Sequence, residues 1–180
     1  MKYTLILLLI ILSASIFSAC DTVQTKSPEK AAEPTEKKSG TAFGQTAPNF
    51  ELAANDGSKV SLESLKGNSA VLIFWSPYCS SCKEEAPAIN QLVAEFKEKG
   101  VKVVGINVGE SIARTQEGID DFEIKYTVAR DLGALVAKSC GVIGTPTVIF
   151  LDRKGIVRYN GNELPANYTD QLTAINSENK

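Results

Sequence analysis

The feature that most constrains the fold is a run of six apolar residues, Ala70 to Trp75, followed closely by a helical pattern. An unbroken run of this length, rich in β-branched and aromatic residues, is typical of a strand buried on both faces. From Cys82 to Lys99 apolar residues recur every three or four positions, which is one face of a helix. The predicted buried stripe is Cys82, Ala86, Ile89, Val93 and Phe96. Gly100 is predicted to end that helix. A buried strand joined directly to an amphipathic helix predicts a layered α/β domain.

The rest of the chain from Ala47 onward predicts further elements of the same domain, which we assign to residues 47–180. The predicted elements are a hairpin of 47–52 and 59–62 around Asn55-Asp56-Gly57, a strand at 101–108, a helix and a short strand at 126–128 within 110–130, a helical turn or two at 132–139, a hairpin of 147–151 and 156–159, and a helix at 167–175. We therefore expect a central mixed β-sheet flanked by helices, preceded by an N-terminal β-hairpin.

The amino terminus has the pattern of a targeting segment. Lys2 precedes the apolar run Leu5 to Leu12, and small residues follow, so residues 1–19 are predicted to be a secretory signal peptide. A transmembrane anchor is the alternative, although a span needs about 20 apolar residues. Ser18-Ala19-Cys20 resembles a bacterial lipobox, with Phe17 where leucine is usual. That resemblance implies that Cys20 carries a lipid and becomes the new amino terminus.

Residues 20–46 are predicted to be the lipidated cysteine and a flexible linker. This stretch is rich in Thr, Lys, Ser, Pro, Glu, Ala and Gly, and only Val23 and Phe43 are larger apolar residues. Such a composition buries too little apolar surface to offset the entropy of ordering. After a lipid anchor, the linker would hold the domain away from the membrane.

Charge and histidine content exclude several classes of function. The formal net charge is −2 at pH 7, so the chain lacks the basic surface on which nucleic-acid binding depends. The sequence has no histidine, which excludes histidine-dependent triads, Cys2His2 zinc sites and histidine-ligated haem. We expect no metal and no cofactor. The four cysteines then become the main candidates for chemistry.

Two cysteines lie at the predicted junction between the buried strand and the helix. Cys79 falls at the helix start, where free backbone N–H groups stabilise a thiolate. Cys82 follows one turn later on the buried stripe, so the pair combines an accessible nucleophile with a shielded resolving thiol. The alternatives are a zinc site, which would need two further ligands, a structural disulfide across a very short loop, and two unrelated core cysteines.

The motifs around this pair resemble a known family. Trp-x-x-x-Cys-x-x-Cys at 75–82 and Gly144-Thr145-Pro146-Thr147 before a strand resemble the thioredoxin superfamily. The export signal, Ala47-Pro48-Asn49-Phe50 and the run from Cys82 to Pro87 resemble the membrane-anchored TlpA/ResA-like thiol–disulfide oxidoreductases, which have a redoxin or AhpC-TSA-type domain. The resemblance covers 47–172 and implies a thioredoxin fold with a redox disulfide between the two cysteines.

The resemblance also implies a substrate-binding surface beside the cysteines. Pro146 is expected to follow a cis peptide bond and to lie against the dithiol, as part of the catalytic site. The backbone of Thr145 is expected to pair with an extended substrate segment, as a sheet edge does. Trp75 is expected beneath the active site and Tyr78 on its exposed rim, and both are candidate substrate-binding residues.

Glu85 is the candidate acid–base residue. In the TlpA/ResA-like group, a glutamate at this position tunes the thiols and moves protons, whereas ordinary thioredoxins use an aspartate where this chain has Ile73. Glu85 borders the predicted buried stripe, and partial burial would raise the pKa of its carboxyl. The alternative is a solvated helix residue like Glu84. Pro87 corresponds to the proline that kinks the active-site helix in this family.

Cys140 departs from the family pattern, because relatives often carry an aromatic residue there, six before the cis proline. We interpret it as a buried, inert thiol. A third redox thiol near the pair is the alternative.

The predicted function is extracytoplasmic thiol–disulfide exchange, reducing disulfides in exported proteins such as apocytochrome c. The resemblance implies electrons from a membrane thiol reductase of the CcdA/DsbD type, and a domain lipid-anchored to the bacterial membrane that faces the periplasm or cell exterior. A peroxiredoxin-like peroxidase is an alternative, although the threonine it needs before Cys79 is missing. Two further alternatives are a metal-delivery protein, which would need a histidine, and a non-catalytic binding module that uses the groove at Pro146.

Overall fold

The computed structural model describes residues 39–177. The predicted signal peptide, Cys20 and most of the predicted linker lie outside these residues. Within the described range, no helix is both long enough and apolar enough to cross a membrane.

The described chain alternates strands and helices, as the apolar patterns predict. Its elements are β1 (Glu51–Ala53), β2 (Lys59–Ser61), α1 (Leu62–Leu65), β3 (Ala70–Trp75), α2 (Ser80–Phe96), β4 (Lys102–Val108), α3 (Ile112–Asp121), β5 (Thr127–Asp131), α4 (Leu135–Ser139), β6 (Thr147–Leu151), β7 (Val157–Gly161) and α5 (Tyr168–Ser177). A 3₁₀ turn at Lys97–Lys99 follows α2 and ends at Gly100, whose φ of 78° lies in the left-handed region that glycine adopts easily.

The central sheet is five-stranded and mixed, in the order β5-β4-β3-β6-β7, and β1 and β2 form a separate antiparallel hairpin. β3, β4 and β5 run parallel, whereas β6 is antiparallel to β3 and β7 to β6. The predicted α/β class, mixed sheet and N-terminal hairpin are therefore confirmed. Phe74 near the end of β3 pairs with Thr147 at the start of β6. The loop that carries the cysteines and the loop that carries Pro146 consequently meet at the same end of these two neighbouring strands.

The two faces of the sheet bury two separate apolar clusters. Along β3, Val71, Ile73 and Trp75 pack with residues of α2, α3 and α5, whereas Leu72 and Phe74 pack with α1, α4 and the N-terminal hairpin. This alternation is the period of a strand whose two faces are both covered. Removing both faces from water supplies the main driving force for folding.

Helix α2 buries the predicted stripe with one change. The buried residues are Cys82, Ala86, Ile89, Leu92 and Phe96, so Leu92 takes the place expected for Val93. The helix begins at Ser80 rather than Cys82, and it continues through Pro87.

The ordered domain begins before the predicted boundary at Ala47. The amide of Gly44 donates to the carbonyl of Val157 at 2.8 Å, and the amide of Val157 donates to the carbonyl of Gln45 at 2.9 Å. These bonds lay residues predicted as linker along β7, the edge strand of the sheet. Edge pairing of this kind needs backbone groups only, and composition therefore does not reveal it.

Candidate active site

The loop between β3 and α2 is supported from below by Trp75. The indole is 1% exposed and its ring lies 5.5 Å from that of Phe122. A Cβ at Gly118 of α3 would lie 2.8 Å from both the Trp75 ring and Pro77, so glycine allows the helix to approach the loop this closely. Trp75 thus lies beneath the loop, as predicted. Its assignment as a substrate-binding residue stays a prediction.

Cys79 and Cys82 form a disulfide at the start of α2, with their Cα atoms 5.2 Å apart. Cys79 is the N-cap of the helix, and its Sγ accepts a hydrogen bond from the amide of Cys82 at 3.1 Å. Cys79 is half-buried, whereas Cys82 is 5% exposed. An amide aimed at Sγ at a helix amino terminus stabilises a thiolate after reduction. Of the two cysteines, Cys79 is therefore the more exposed and Cys82 the more shielded.

The loop before β6 forms the opposite wall of the site. Its Thr145–Pro146 peptide bond is cis, as the family resemblance implies. The Thr147 hydroxyl donates to the carbonyl of Gly144 at 2.7 Å and closes the loop. Ile143 is 98% exposed at its tip. Tyr78, on the cysteine loop, is 70% exposed, in agreement with its predicted place on the rim.

A cavity of about 690 Å³ lies between this loop and the start of α2. Its walls include Thr145 and Pro146 on one side and Ser81, which stands between the two cysteines, on the other. The cavity also contains acidic side chains from α2 and from the loop after β7: Glu84, Glu85 and Glu163. The site thus offers an open, acidic groove beside the disulfide.

Glu85 is half-buried one helical turn after Cys82. Burial raises the pKa of its carboxyl above the ordinary value, and the nearby charge of Glu163 raises it further. The amide of Leu164 donates to Oε1 and opposes this rise. Oε2 is buried and has no hydrogen-bond partner among the described residues. A raised pKa makes the Glu85 carboxylate a stronger base than an exposed glutamate.

Cys140 lies apart from the pair. It is 2% exposed and packs in the cluster with Leu72 and Phe74, on the other face of the sheet from Cys82. Burial raises the pKa of its thiol to about 11. Its position favours the inert thiol over a third redox thiol near the pair. In the described part of the chain, no group of three or more His, Cys, Asp or Glu side chains is arranged to hold a metal ion.

Sequence reasoning missed the partners that reach the site from distant positions. Leu164 contacts Glu85 across 79 positions, through its backbone amide. Gly118 contributes only by lacking a side chain. Neither feature has a local sequence signal, because a backbone donor or a missing Cβ acquires meaning only when the packing is known.

Comparisons with known proteins agree with this architecture. The model of the AhpC/TSA family matches residues 43–160, more than half of the chain, so the protein belongs to the AhpC/TSA family. Together with the sheet order and the helix-start disulfide, this defines a thioredoxin-fold protein.

Within the thioredoxin superfamily, the chain is a TlpA/ResA-like member. It is 34% identical over 115 residues to the thiol-disulfide oxidoreductase ResA of Bacillus thuringiensis subsp. konkukian (strain 97-27), covering 64% of this chain and 66% of that relative. It is 32% identical over 120 residues to ResA of Bacillus subtilis (strain 168), covering 67% of each. A crystal structure from Chlorobium tepidum, assigned as a thiol:disulfide interchange protein DsbE, superposes with a TM-score of 0.70 at 29% identity, covering 76% of this chain and 99% of that one.

Proposed function

We propose that the protein is an extracytoplasmic thiol–disulfide oxidoreductase that reduces disulfides in exported proteins through Cys79 and Cys82. The observation that carries the proposal is the disulfide between a half-buried helix-capping sulfur and a buried one. The names of the ResA and DsbE relatives support the same reaction class.

The proposed reaction begins with the reduced pair. The Cys79 thiolate attacks one sulfur of a partner disulfide, which breaks that S–S bond and forms a mixed disulfide. The displaced partner sulfur leaves as a thiolate and takes up a proton. The Cys82 thiolate then attacks Cys79 Sγ, closes the Cys79–Cys82 disulfide and releases the second partner thiol. Two electrons pass to the partner, and the oxidised pair must be reduced again.

Glu85 is the proposed proton carrier for these steps. Its raised pKa lets it accept the proton of the Cys82 thiol when that thiol becomes a nucleophile. The same carboxyl can then return a proton to a departing partner thiolate. With no histidine in the chain, a carboxylate is the natural group for this task.

The groove along Pro146 is the proposed binding surface for the partner. An extended segment of the partner would hydrogen-bond to the backbone of Thr145 and lie over the cavity beside Ser81. Tyr78 would contact the segment from the cysteine loop. Trp75 would act indirectly, by supporting that loop.

The proposed location is outside the cytoplasm, on the bacterial membrane. The signal-peptide and lipobox patterns at 1–20 support export and a lipid on Cys20. A reductant in an oxidising compartment needs a supply of electrons, so we propose a membrane thiol reductase of the CcdA/DsbD type as donor. Disulfide-containing exported proteins, with apocytochrome c as an example, are the proposed substrates.

Trapping with Cys82→Ser tests the proposal. The variant keeps the attacking thiol and loses the resolving one, so the mixed disulfide at Cys79 should accumulate and appear as a reducible adduct in non-reducing gels and by mass spectrometry. The double variant Cys79→Ser, Cys82→Ser is the matched control and should form none. Absence of any adduct with exported disulfide proteins would contradict the proposed function. A strongly oxidising reduction potential for the pair would contradict the reductive direction.

A further inference from the structure

The loop that follows β7, residues 162–164, determines where the Glu85 carboxylate is held. The amide of Leu164 donates to Glu85 Oε1. Asn162 and Glu163 line the same cavity as Glu85. Because this loop carries both a donor to the carboxylate and a charge beside it, a residue that shapes the loop acts on Glu85.

Tyr159 of β7 shapes that loop. Its hydroxyl donates to the carbonyl of Glu163 at 2.8 Å, closing the turn immediately before Leu164. Its ring lies 5.0 Å from the ring of Phe150, which is fully buried in β6. A Cβ at Gly161 would lie 2.2 Å from the Tyr159 hydroxyl, so a glycine is needed for the chain to pass this close. Packing against Phe150 thus holds the Tyr159 ring in place, and the hydroxyl of that ring holds the loop at 162–164.

The Tyr159 phenol is suited to be a permanent donor. Burial raises the pKa of Tyr159, and the charges of Glu163 and Glu85 raise it further. The hydroxyl therefore keeps its proton throughout the pH range in which a carboxylate or a thiol at this site would titrate.

We propose that Tyr159 is a positioning residue for Glu85, holding the loop at 162–164 so that the Leu164 amide holds the Glu85 carboxylate one turn after Cys82. The role of Glu85 in thiol exchange rests on the proposed function. The positioning of Glu85 by Tyr159 rests only on the contacts described above.

Loss of the Tyr159 hydroxyl has a predictable direction. Without it, the turn at Glu163 loosens and the Leu164 amide is no longer fixed on Oε1. That amide lowers the pKa of Glu85, so its release lets the pKa rise. The other titratable side chains near Glu85, Glu84 and Tyr126, are unchanged by this substitution, whereas Glu163 lies on the turn that loosens. In the oxidised protein Cys79 and Cys82 are joined in a disulfide and do not titrate.

Carbon-13 NMR titration of the oxidised full chain with Tyr159→Phe tests the proposal. The Glu85 carboxyl resonance is assigned by its disappearance in Glu85→Gln. We expect its titration midpoint to rise by about half a pH unit, a roughly threefold change in proton affinity. Tyr168→Phe is the matched control, because it removes another half-buried hydroxyl, 3.4 Å from Glu95, and should leave the midpoint unchanged. Equal midpoints in Tyr159→Phe and the native protein would overturn the proposal.

Gly161→Ala perturbs the same contact from the opposite side. Its Cβ forces either the loop or the Tyr159 hydroxyl to move, so the Glu85 midpoint should shift here as well, even where Tyr159→Phe folds poorly. An unshifted midpoint in a folded Gly161→Ala protein would also overturn the proposal. The pH profile of Cys79 alkylation in Glu85→Gln separately tests the role of Glu85 in exchange. An unchanged profile would refute that role, whereas the carboxyl titrations alone decide the positioning.

Discussion

The two cysteine environments of this domain show how strongly the fold controls the same side chain. At the start of α2, Cys79 is half-buried and its sulfur faces the Cys82 amide at 3.1 Å. On the opposite face of the sheet, Cys140 is 2% exposed, and burial raises its pKa to about 11. One environment stabilises a thiolate with backbone N–H groups, and the other suppresses it by desolvation. Cysteine reactivity here follows from position in the fold rather than from residue type.

The comparison is tested most severely by removing each thiol in turn. Cys79→Ala should lower the rate of reduction of a model disulfide such as insulin by about a thousandfold or more, because no other accessible thiolate within residues 39–177 replaces it. Cys140→Ala should keep that rate within about twofold. It should lower the free energy of unfolding by about 1 kcal/mol, because it leaves a small cavity. A loss of activity in Cys140→Ala comparable to that in Cys79→Ala would break the distinction.

Alkylation rates measure the same contrast in the unmutated, reduced protein. At pH 7 a thiol with a pKa of about 11 is ionised in only about one molecule in ten thousand. Cys140 should therefore react with iodoacetamide about 100-fold more slowly than Cys79, as followed by peptide mass spectrometry. In denaturant the two should react at similar rates, because the helix start and the core are both lost. Similar rates in the folded protein would refute the assigned environments.

Elements with strong apolar patterns were the ones that the sequence predicted best. β3 and β6 have the predicted bounds, because an apolar strand buried on both faces has sharp ends. Helix α1 was missed, since its four residues are too few for a helical period and depend on the capping box of Ser61 and Ser64. β5 begins at Thr127 and continues beyond the predicted 126–128, because its pairing with β4 sets its length.

The residues of the candidate site also differ in how far the sequence predicts them. The helix start at Cys79 and the buried position of Cys82 were predicted from neighbouring residues alone. Pro146 and Glu85 required a family resemblance, and their roles remain proposals. The Leu164 amide and Tyr159 could not be predicted, because they approach α2 from another part of the chain and act through backbone contacts.

Glu85 is half-buried like Cys79, whereas Cys140 is buried. Glu85 is nevertheless buried enough to raise the pKa of its carboxyl from 4.5, and it remains beside an open cavity. A carboxyl with a raised folded-state pKa binds its proton more tightly in the folded protein. The folded state therefore loses stability as pH rises from the unfolded pKa through the folded one, and the loss is complete above it.

Glu85→Gln should remove this pH-dependent loss while keeping an oxygen that can accept from Leu164. Relative to the native protein, the free energy of unfolding of the variant should increase between pH 3 and pH 8, as measured by denaturant unfolding of the oxidised form. Glu84→Gln, on the exposed side of the same turn, is the control and should change by less than about 0.5 kcal/mol. If the two variants respond equally to pH, burial does not set the proton affinity of Glu85. Glu84 and Glu85 would then both be ordinary surface carboxylates. The effect of burial on ionisation would be limited to the thiols, that is, to the difference between Cys79 and Cys140.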